Sequence, residues 1–209
     1  MAFWVDFYIY LLYNNYSLLQ DFLIMPLQKA PILNINISND NIDFTNIISL
    51  VEKQNLTPAQ AYDPKKLQYY TPKNFKNSKN AKLENDSELA ILLQSLFNKY
   101  IIEYIKKNDT NFNQYIQHEI SIIKYGKDDY VKEHNDCGNI KFGDSIYNVA
   151  YSSLLYLNDS HGGELILDGE EINIKQGQFV TFPAETLHSV KKILSGSRYT
   201  VLFRLYTKI

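Results

Sequence analysis

The chain has 209 residues, 45% hydrophobic and 14% aromatic, enough for one sizeable core or one core with a small flanking lobe. A formal net charge of -2 excludes an overall basic field for nucleic acid. The single cysteine, Cys137, excludes an internal disulfide and cysteine-based zinc sites. All but two of the 21 basic residues are lysines. The exceptions, Arg198 and Arg204, lie close together near the C-terminus. Where lysine is the default cation, such a pair marks a place that needs a planar, bidentate fork.

Residues 1–25 are rich in aromatics and leucine, with Asp6, Asn14, Asn15 and Asp21 interrupting any span of membrane length. The segment has no basic start and no small-residue cleavage site, so it is a poor signal peptide. It reads as an additional amphipathic helix; a peripheral membrane contact and a true start at Met25 are the other readings. The stretch MPLQKAPILNINIS leads into a first strand. Residues 43–53 have helical spacing, with Phe44, Ile47, Ile48 and Val51 on one side and Asp43 as cap. Residues 54–80 carry Pro58, Pro64 and Pro72 among Lys and Asn, and read as a surface loop. Residues 86–107 form the clearest helix, capped by Asp86 or Ser87 and ending at Lys106 and Lys107. Residues 26–113 are therefore read as a helical and loop support region.

After Asn113 the apolar period changes from 3.6 to 2. QHEISIIKYG, SIYNVAYSSLLYLN, GELILDG, EINIKQGQFVTFP, HSVKKI and SRYTVLFRLY read as short strands. Asp168-Gly169 between two alternating runs signals a hairpin. The class is α+β by content, with a sandwich or jelly-roll core over 114–209 behind packing helices.

His134 and Asp136 stand two apart, on or just after a strand, so period 2 puts them on one face. His188 begins a later strand. Two histidines and one carboxylate have the composition of a facial triad that leaves three positions open on Fe(II). Alone, a His-x-Asp pair is a weak signal that reads as a surface histidine and a turn aspartate. The surrounding order adds weight: Tyr125-Gly126, Tyr130, His134-Asn135-Asp136, Tyr156-Leu157-Asn158, Gly162-Gly163-Glu164-Leu165, Gly177-Gln178-Phe179, Phe182-Pro183, His188 and Gly196-Ser197-Arg198-Tyr199.

In that order and approximate spacing, Tyr125 to Arg204 resembles the 2-oxoglutarate/Fe(II) dioxygenases, and within them the prolyl 4-hydroxylase alpha-subunit catalytic domain. The resemblance implies a double-stranded β-helix with iron at one open end. His134, Asp136 and His188 match the iron ligands. Arg198 matches the basic residue that binds the distal carboxylate of 2-oxoglutarate, and Tyr125 a tyrosine that bonds the same carboxylate. Ser152 occupies a position where relatives often have Thr lining the co-substrate pocket. A dianion of that kind needs a charge-assisted partner for its far carboxylate, and an arginine fork suits it.

Arg204 departs from the prolyl hydroxylases, where Trp is frequent. The segment from Arg198 to Arg204 is similar to the R-x5-R signature of AlkB-type nucleic-acid demethylases, where the second arginine helps secure the co-substrate. An exposed strand arginine pairing with a carboxylate is the plain reading of Arg204. Its short spacing from His188 to Arg198, the YLN and GGEL pattern and the absence of a basic surface weigh against the demethylase.

His161 reads as an exposed loop residue, His118 as structural, and Cys137 as a small residue at the site rim. Glu164 divides between substrate contact and solvated strand, and Tyr130 between the metal surroundings and core. Lys191 and Lys192 read as a solvated strand edge. The expected function is hydroxylation of a peptidyl residue, proline foremost, with Fe(II), 2-oxoglutarate and L-ascorbate. The alternatives are the demethylase and a non-catalytic jelly-roll binding module; a cupin-type isomerase would not need Arg198. A peptide or protein partner, no membrane span and a cytoplasmic location complete the expectation.

Overall fold

The computed structural model describes residues 32–59, 61–63, 68–70, 76–109 and 115–209, with backbone alone for 61–63, 68–70, 76 and 117–119. The readings of residues 1–25 and of the His118 side chain lie outside the described residues.

Strand β1 (Leu33–Asn36) is the expected first strand, and helix α1 (Phe44–Glu52) follows. Asp43 caps α1 by accepting from the Asn46 N–H at 2.9 Å. Helix α1 buries Phe44, Ile47 and Val51. Helix α2 (Glu88–Phe97) starts at Ser87, whose hydroxyl accepts from the Ala90 N–H at 3.2 Å. The sequence predicts one unbroken helix to Lys107. Instead a π-helical turn (Asn98–Ile102) separates α2 from α3 (Glu103–Asn108). Ile101 and Ile105 remain buried across the change. Beyond α3, buried Asp109 accepts from the hydroxyls of Tyr115 at 2.8 Å and Tyr151 at 2.5 Å. That carboxylate ties the helix end to the sheet below.

The region expected as a loop contains strands. They are β2 (Thr57–Pro58), β3 (Ala61–Asp63), β4 (Gln68–Tyr70), β5 (Lys76–Asn77) and β6 (Lys79–Lys82). Strands β2 and β5 are the outer strands of two different sheets. Their Pro and Lys composition, which reads as loop, suits sheet edges, where one side of the backbone needs no partner.

The remaining strands are β7 (Tyr115–Tyr125), β8 (Tyr130–His134), β9 (Asn139–Phe142), β10 (Ser145–Tyr156), β11 (His161–Gly162), β12 (Leu165–Leu167), β13 (Glu170–Ile172), β14 (Gln178–Pro183), β15 (His188–Val190), β16 (Ile193–Ser195) and β17 (Arg198–Lys208). HSVKKI is two strands, not one. Lys191 and Lys192 are exposed between β15 and β16, and Lys191 pairs with Glu171. At the β12–β13 hairpin, Asp168 (φ 47°) and Gly169 (φ 85°) both have positive φ, as the tight turn requires.

The large sheet runs β1-β14-β10-β17-β7-β6-β2, with β9 also on β10; the small sheet runs β13-β12-β15-β8-β5. This is the jelly-roll architecture expected from the strand pattern. Alternation along β17 divides the core in two. Val201, Phe203 and Leu205 face the helices, packing with Phe97, Ile101 and Leu93. Leu202 faces the other way, into a second core with Val131, Leu165, Leu167 and Val190 of the small sheet. The polar residues Arg198, Thr200 and Arg204 share the parity of Leu202 and so face between the sheets. The register Ser152↔Arg204 and Tyr156↔Thr200 brings their β10 partners to the same face.

Among the described residues no helix is long and apolar enough to cross a membrane. Phe203 stacks on Phe97 with centroids 4.6 Å apart, and both rings are buried. Phe203→Ala is expected to cost about 3–5 kcal/mol in urea unfolding. A loss below about 1 kcal/mol would show that the helices do not share the sheet's core.

Candidate metal centre

His134 ends β8 and His188 begins β15, and the two are register partners. Their ring centroids are 4.2 Å apart. Each ring is fixed by its own chain two residues back. His134 Nδ1 lies 2.9 Å from the Lys132 carbonyl, and His188 Nδ1 lies 3.0 Å from the Thr186 carbonyl. A carbonyl only accepts, so each Nδ1 carries a proton, which leaves Nε2 as the nitrogen placed to face a metal. Phe182 packs on His188 with centroids 4.8 Å apart.

Asp136 completes the group. Its backbone N–H donates to the Ala184 carbonyl at 2.8 Å, which holds the segment after β8 against the end of β14. Its Oδ1 lies 3.8 Å from His134 Nε2, and its Oδ2 lies 3.8 Å from His188 Nε2. One donor atom from each residue falls within 4.8 Å of the others. Two imidazoles and a carboxylate on one side of a site are the donor set of non-haem Fe(II).

The carboxylate is itself held. Arg204 Nη2 donates to Oδ1 at 3.0 Å, and the Ser152 hydroxyl donates to Oδ2 at 2.5 Å. Burial works to raise the Asp136 pKa, but Arg204, His188 and the Ser152 hydrogen bond outweigh it and leave it at about 2. The expectation that Ser152 and Arg204 touch the co-substrate thus meets a different observed contact: both touch Asp136.

Arg198 is the other focus. It is 1% exposed and begins β17 opposite Tyr125. Its guanidinium lies 4.4 Å from the Tyr125 ring centroid and 5.5 Å from that of Tyr156. Nη1 donates to the Gly163 carbonyl. Among the described residues no carboxylate pairs with it. Arg198 Nε, the Tyr156 hydroxyl and the Thr200 hydroxyl are buried without a hydrogen-bond partner in the described structure. A buried cation beside open hydroxyls is unfavourable until an anion joins it. The far carboxylate of a small diacid fits that need. Burial raises the pKa of Tyr125 and Tyr156, so both keep their protons as donors.

The structure gives physical reasons for the GGEL and YLN motifs. Gly163 has φ +79°, and a Cβ there would lie 2.8 Å from Arg198 Nη1. Gly162 has φ +76°, and its Cβ would lie 2.6 Å from the Lys192 carbonyl oxygen. Asn158 grips both sides of Arg198, accepting from the Tyr199 N–H and donating to the Ser197 carbonyl, each at 2.8 Å. The sequence reading did not single out Tyr156 or Thr200 as pocket donors. The signal was available: Thr200 shares the parity of Arg198.

His161 is exposed, with Nδ1 3.3 Å from the Ser195 hydroxyl. Cys137 is exposed at the rim of a cleft of about 810 Å³ that reaches Asp136 and Arg204. Tyr130 and Glu164 are half-buried. A second hollow of about 520 Å³ beside α2 has no titratable lining residue.

The family model described as 2OG-Fe(II) oxygenase superfamily matches residues 120–205, which contain all of these groups. The likeness to the 2-oxoglutarate/Fe(II) oxygenases is thus carried by residues 120–205, the segment that holds the His134, Asp136 and His188 donor set. A comparison with curated proteins finds no match. Among solved structures, the viral collagen prolyl hydroxylase of Paramecium Bursaria Chlorella virus-1 with 2-oxoglutarate is 15% identical with a TM-score of 0.60, covering 84% of this chain and 96% of that one. The Trichoplax adhaerens prolyl hydroxylase in complex with a hypoxia inducible factor peptide is 15% identical at 0.61, covering 87% and 85%. HygX from Streptomyces hygroscopicus with nickel, 2-oxoglutarate and hygromycin B is 13% identical at 0.58, covering 86% and 83%. At these identities the likeness is one of fold.

Arg204→Met removes one of the two donors to Asp136 and is expected to weaken Fe(II) or Mn(II) binding by about 10- to 100-fold. Anaerobic metal titration checks this. Unchanged affinity would show that Arg204 has no part in orienting the carboxylate.

Proposed function

We propose that this chain hydroxylates an aliphatic carbon of a peptidyl residue, with proline the foremost candidate, and forms succinate and CO2 from 2-oxoglutarate. The observation that carries the reading is the buried, carboxylate-free Arg198 in the same inter-sheet space as the His134, Asp136 and His188 donor set. In this reading those three residues ligate Fe(II), and the resident metal with its co-substrate supplies the activation of O2 and the C–H oxidation.

The protein's own residues supply position and exclusion. His134 and His188 offer Nε2 as the ligating nitrogen because their Nδ1 protons are committed to Lys132 and Thr186. Ser152 and Arg204 fix the plane of the Asp136 carboxylate. Arg198 and the hydroxyls of Tyr156 and Thr200 receive the far carboxylate of the co-substrate, with Tyr125 stacked on the guanidinium. Burial of these groups strengthens each charge-assisted hydrogen bond. L-ascorbate belongs to the proposal as the reductant that restores Fe(II). Residues 114–209 form the catalytic core in this account, supported by 26–113, in a cytoplasmic setting. The peptide bound in the Trichoplax adhaerens structure supports a peptide partner.

The demethylase reading has one specific observation, the two arginines on one face of β17. It is weakened because Arg204 is engaged by Asp136.

Succinate formation with anaerobically loaded Fe(II) tests the class without a known prime substrate. Wild type is expected to turn over 2-oxoglutarate, and Asp136→Ala and Arg198→Ala to lose it. Arg198→Lys keeps the charge but loses the fork, and the KM for 2-oxoglutarate is expected to rise by about 10- to 100-fold. Succinate formation indifferent to both alanine variants would refute the assignment.

A further inference from the structure

The cleft that reaches Asp136 and Arg204 has a lining unlike that of a proline-rich peptide groove. Five carboxamide side chains, Gln54, Asn55, Asn80, Asn135 and Asn139, contribute to it. Tyr206 is the one aromatic residue among its described lining. Grooves that read polyproline helices are lined by aromatics, against which the pyrrolidine rings pack. Here there is no such platform among the described residues.

The position of Asn80 follows from the sheet register. Thr57 pairs with Asn80, Lys82 with Ser121, and Ser121 with Leu202, which precedes Arg204 by two on β17. Period 2 puts these residues on one face. The cleft floor thus crosses β17, β7, β6 and β2 at right angles to the strands. Three inter-strand spacings make about 14 Å, the length of about four extended residues. Asn135 and Asn139, from the segment after β8 and the start of β9, line the same cleft.

The donors are available in the right form. The Asn80 amide oxygen accepts from the Ser78 hydroxyl, and the Asn135 amide oxygen accepts from the Cys137 N–H. Each thus uses its oxygen locally and has two amide protons to offer an incoming acceptor. Carbonyl oxygens spaced along an extended main chain are such acceptors. Apart from Asp136, which Arg204 already faces, no carboxylate lines the described cleft, so a polycation finds no partner there.

We propose that this cleft takes an extended, polar peptide read through its amide groups. A single proline within an Asn-, Gln- and Ser-rich stretch is then the preferred target over a polyproline repeat. The proposal rests on the oxygenase reading above and specifies the substrate of that same site.

The test uses the full chain loaded with Fe(II) and 2-oxoglutarate and three probes. They are a short Asn/Gln/Ser-rich peptide with one proline, a Pro-Pro-Gly repeat, and hygromycin B. Succinate release and the gain of one oxygen atom by the probe, read by mass spectrometry, are the measurements. The polar peptide is expected to stimulate succinate and gain oxygen more than the other two. Asn80→Leu and Asn135→Leu, from the two parts of the lining, are each expected to raise its KM by about 3- to 10-fold with little change in kcat. Preference for the Pro-Pro-Gly repeat or for hygromycin B overturns the proposal, as does a KM unmoved in both variants. Probe-independent succinate with no response to any probe also overturns it while leaving the oxygenase reading intact. Wild type that binds neither Fe(II) nor 2-oxoglutarate overturns both, and that failure is read before any probe is added.

Discussion

A guanidinium with almost no exposure, and no carboxylate beside it in the described structure, is the constraint around which the site is organised. Burying a cation costs several kcal/mol unless a partner anion compensates. Arg198 is nevertheless held there on every side. Asn158 clamps its backbone, the Gly163 carbonyl takes one N–H, and two tyrosine rings have their centroids 4.4 and 5.5 Å from the guanidinium. Such investment in fixing a charge without neutralising it makes sense when a dicarboxylate completes the structure. The same logic explains the double glycine, because a side chain at Gly163 would enter the space of the guanidinium.

The metal group depends on the same two sheets. The small sheet contributes both histidines as register partners, and the large sheet contributes Arg204 and Ser152, which hold Asp136 between them. The aspartate sits in neither sheet, so its orientation comes from its side-chain partners and from the Ala184 carbonyl. Preorganisation of this kind keeps the carboxylate ionised and aimed before a metal arrives. The helices act at one remove. They seal the other face of the large sheet, so β17 is buried on both sides and its polar stripe cannot relax toward water.

Much of this was legible in the sequence because period 2 is a strong signal when one face is apolar. The β17 strand, the Asp168-Gly169 hairpin and the helices capped by Asp43 and Ser87 are all visible in residue order. The His134, Asp136 and His188 set was legible as a composition, and the fold supplies the proximity. Residues 54–80 misled because strands only two to four residues long, rich in Lys, Pro and Asn, have the composition of loops. The π-helical turn at 98–102 leaves the apolar spacing almost unchanged and so left no trace. The roles of Ser152 and Arg204 depend on the register between β10 and β17, which no local pattern encodes. Tyr156 and Thr200 were hidden for the same reason.

The account's central claim is that Arg198 is a preformed, uncompensated anion site. Thermal unfolding of wild type and Arg198→Met, each with and without 2-oxoglutarate in the presence of Mn(II), tests it most directly. Without ligand, the methionine variant is predicted to melt at or above the wild-type temperature, since it removes a buried charge that lacks a partner. With 2-oxoglutarate at about 100 times its Kd, wild type gains about 2.7 kcal/mol and the variant gains nothing. A variant that is strongly destabilised without ligand yet still stabilised by 2-oxoglutarate would contradict the account.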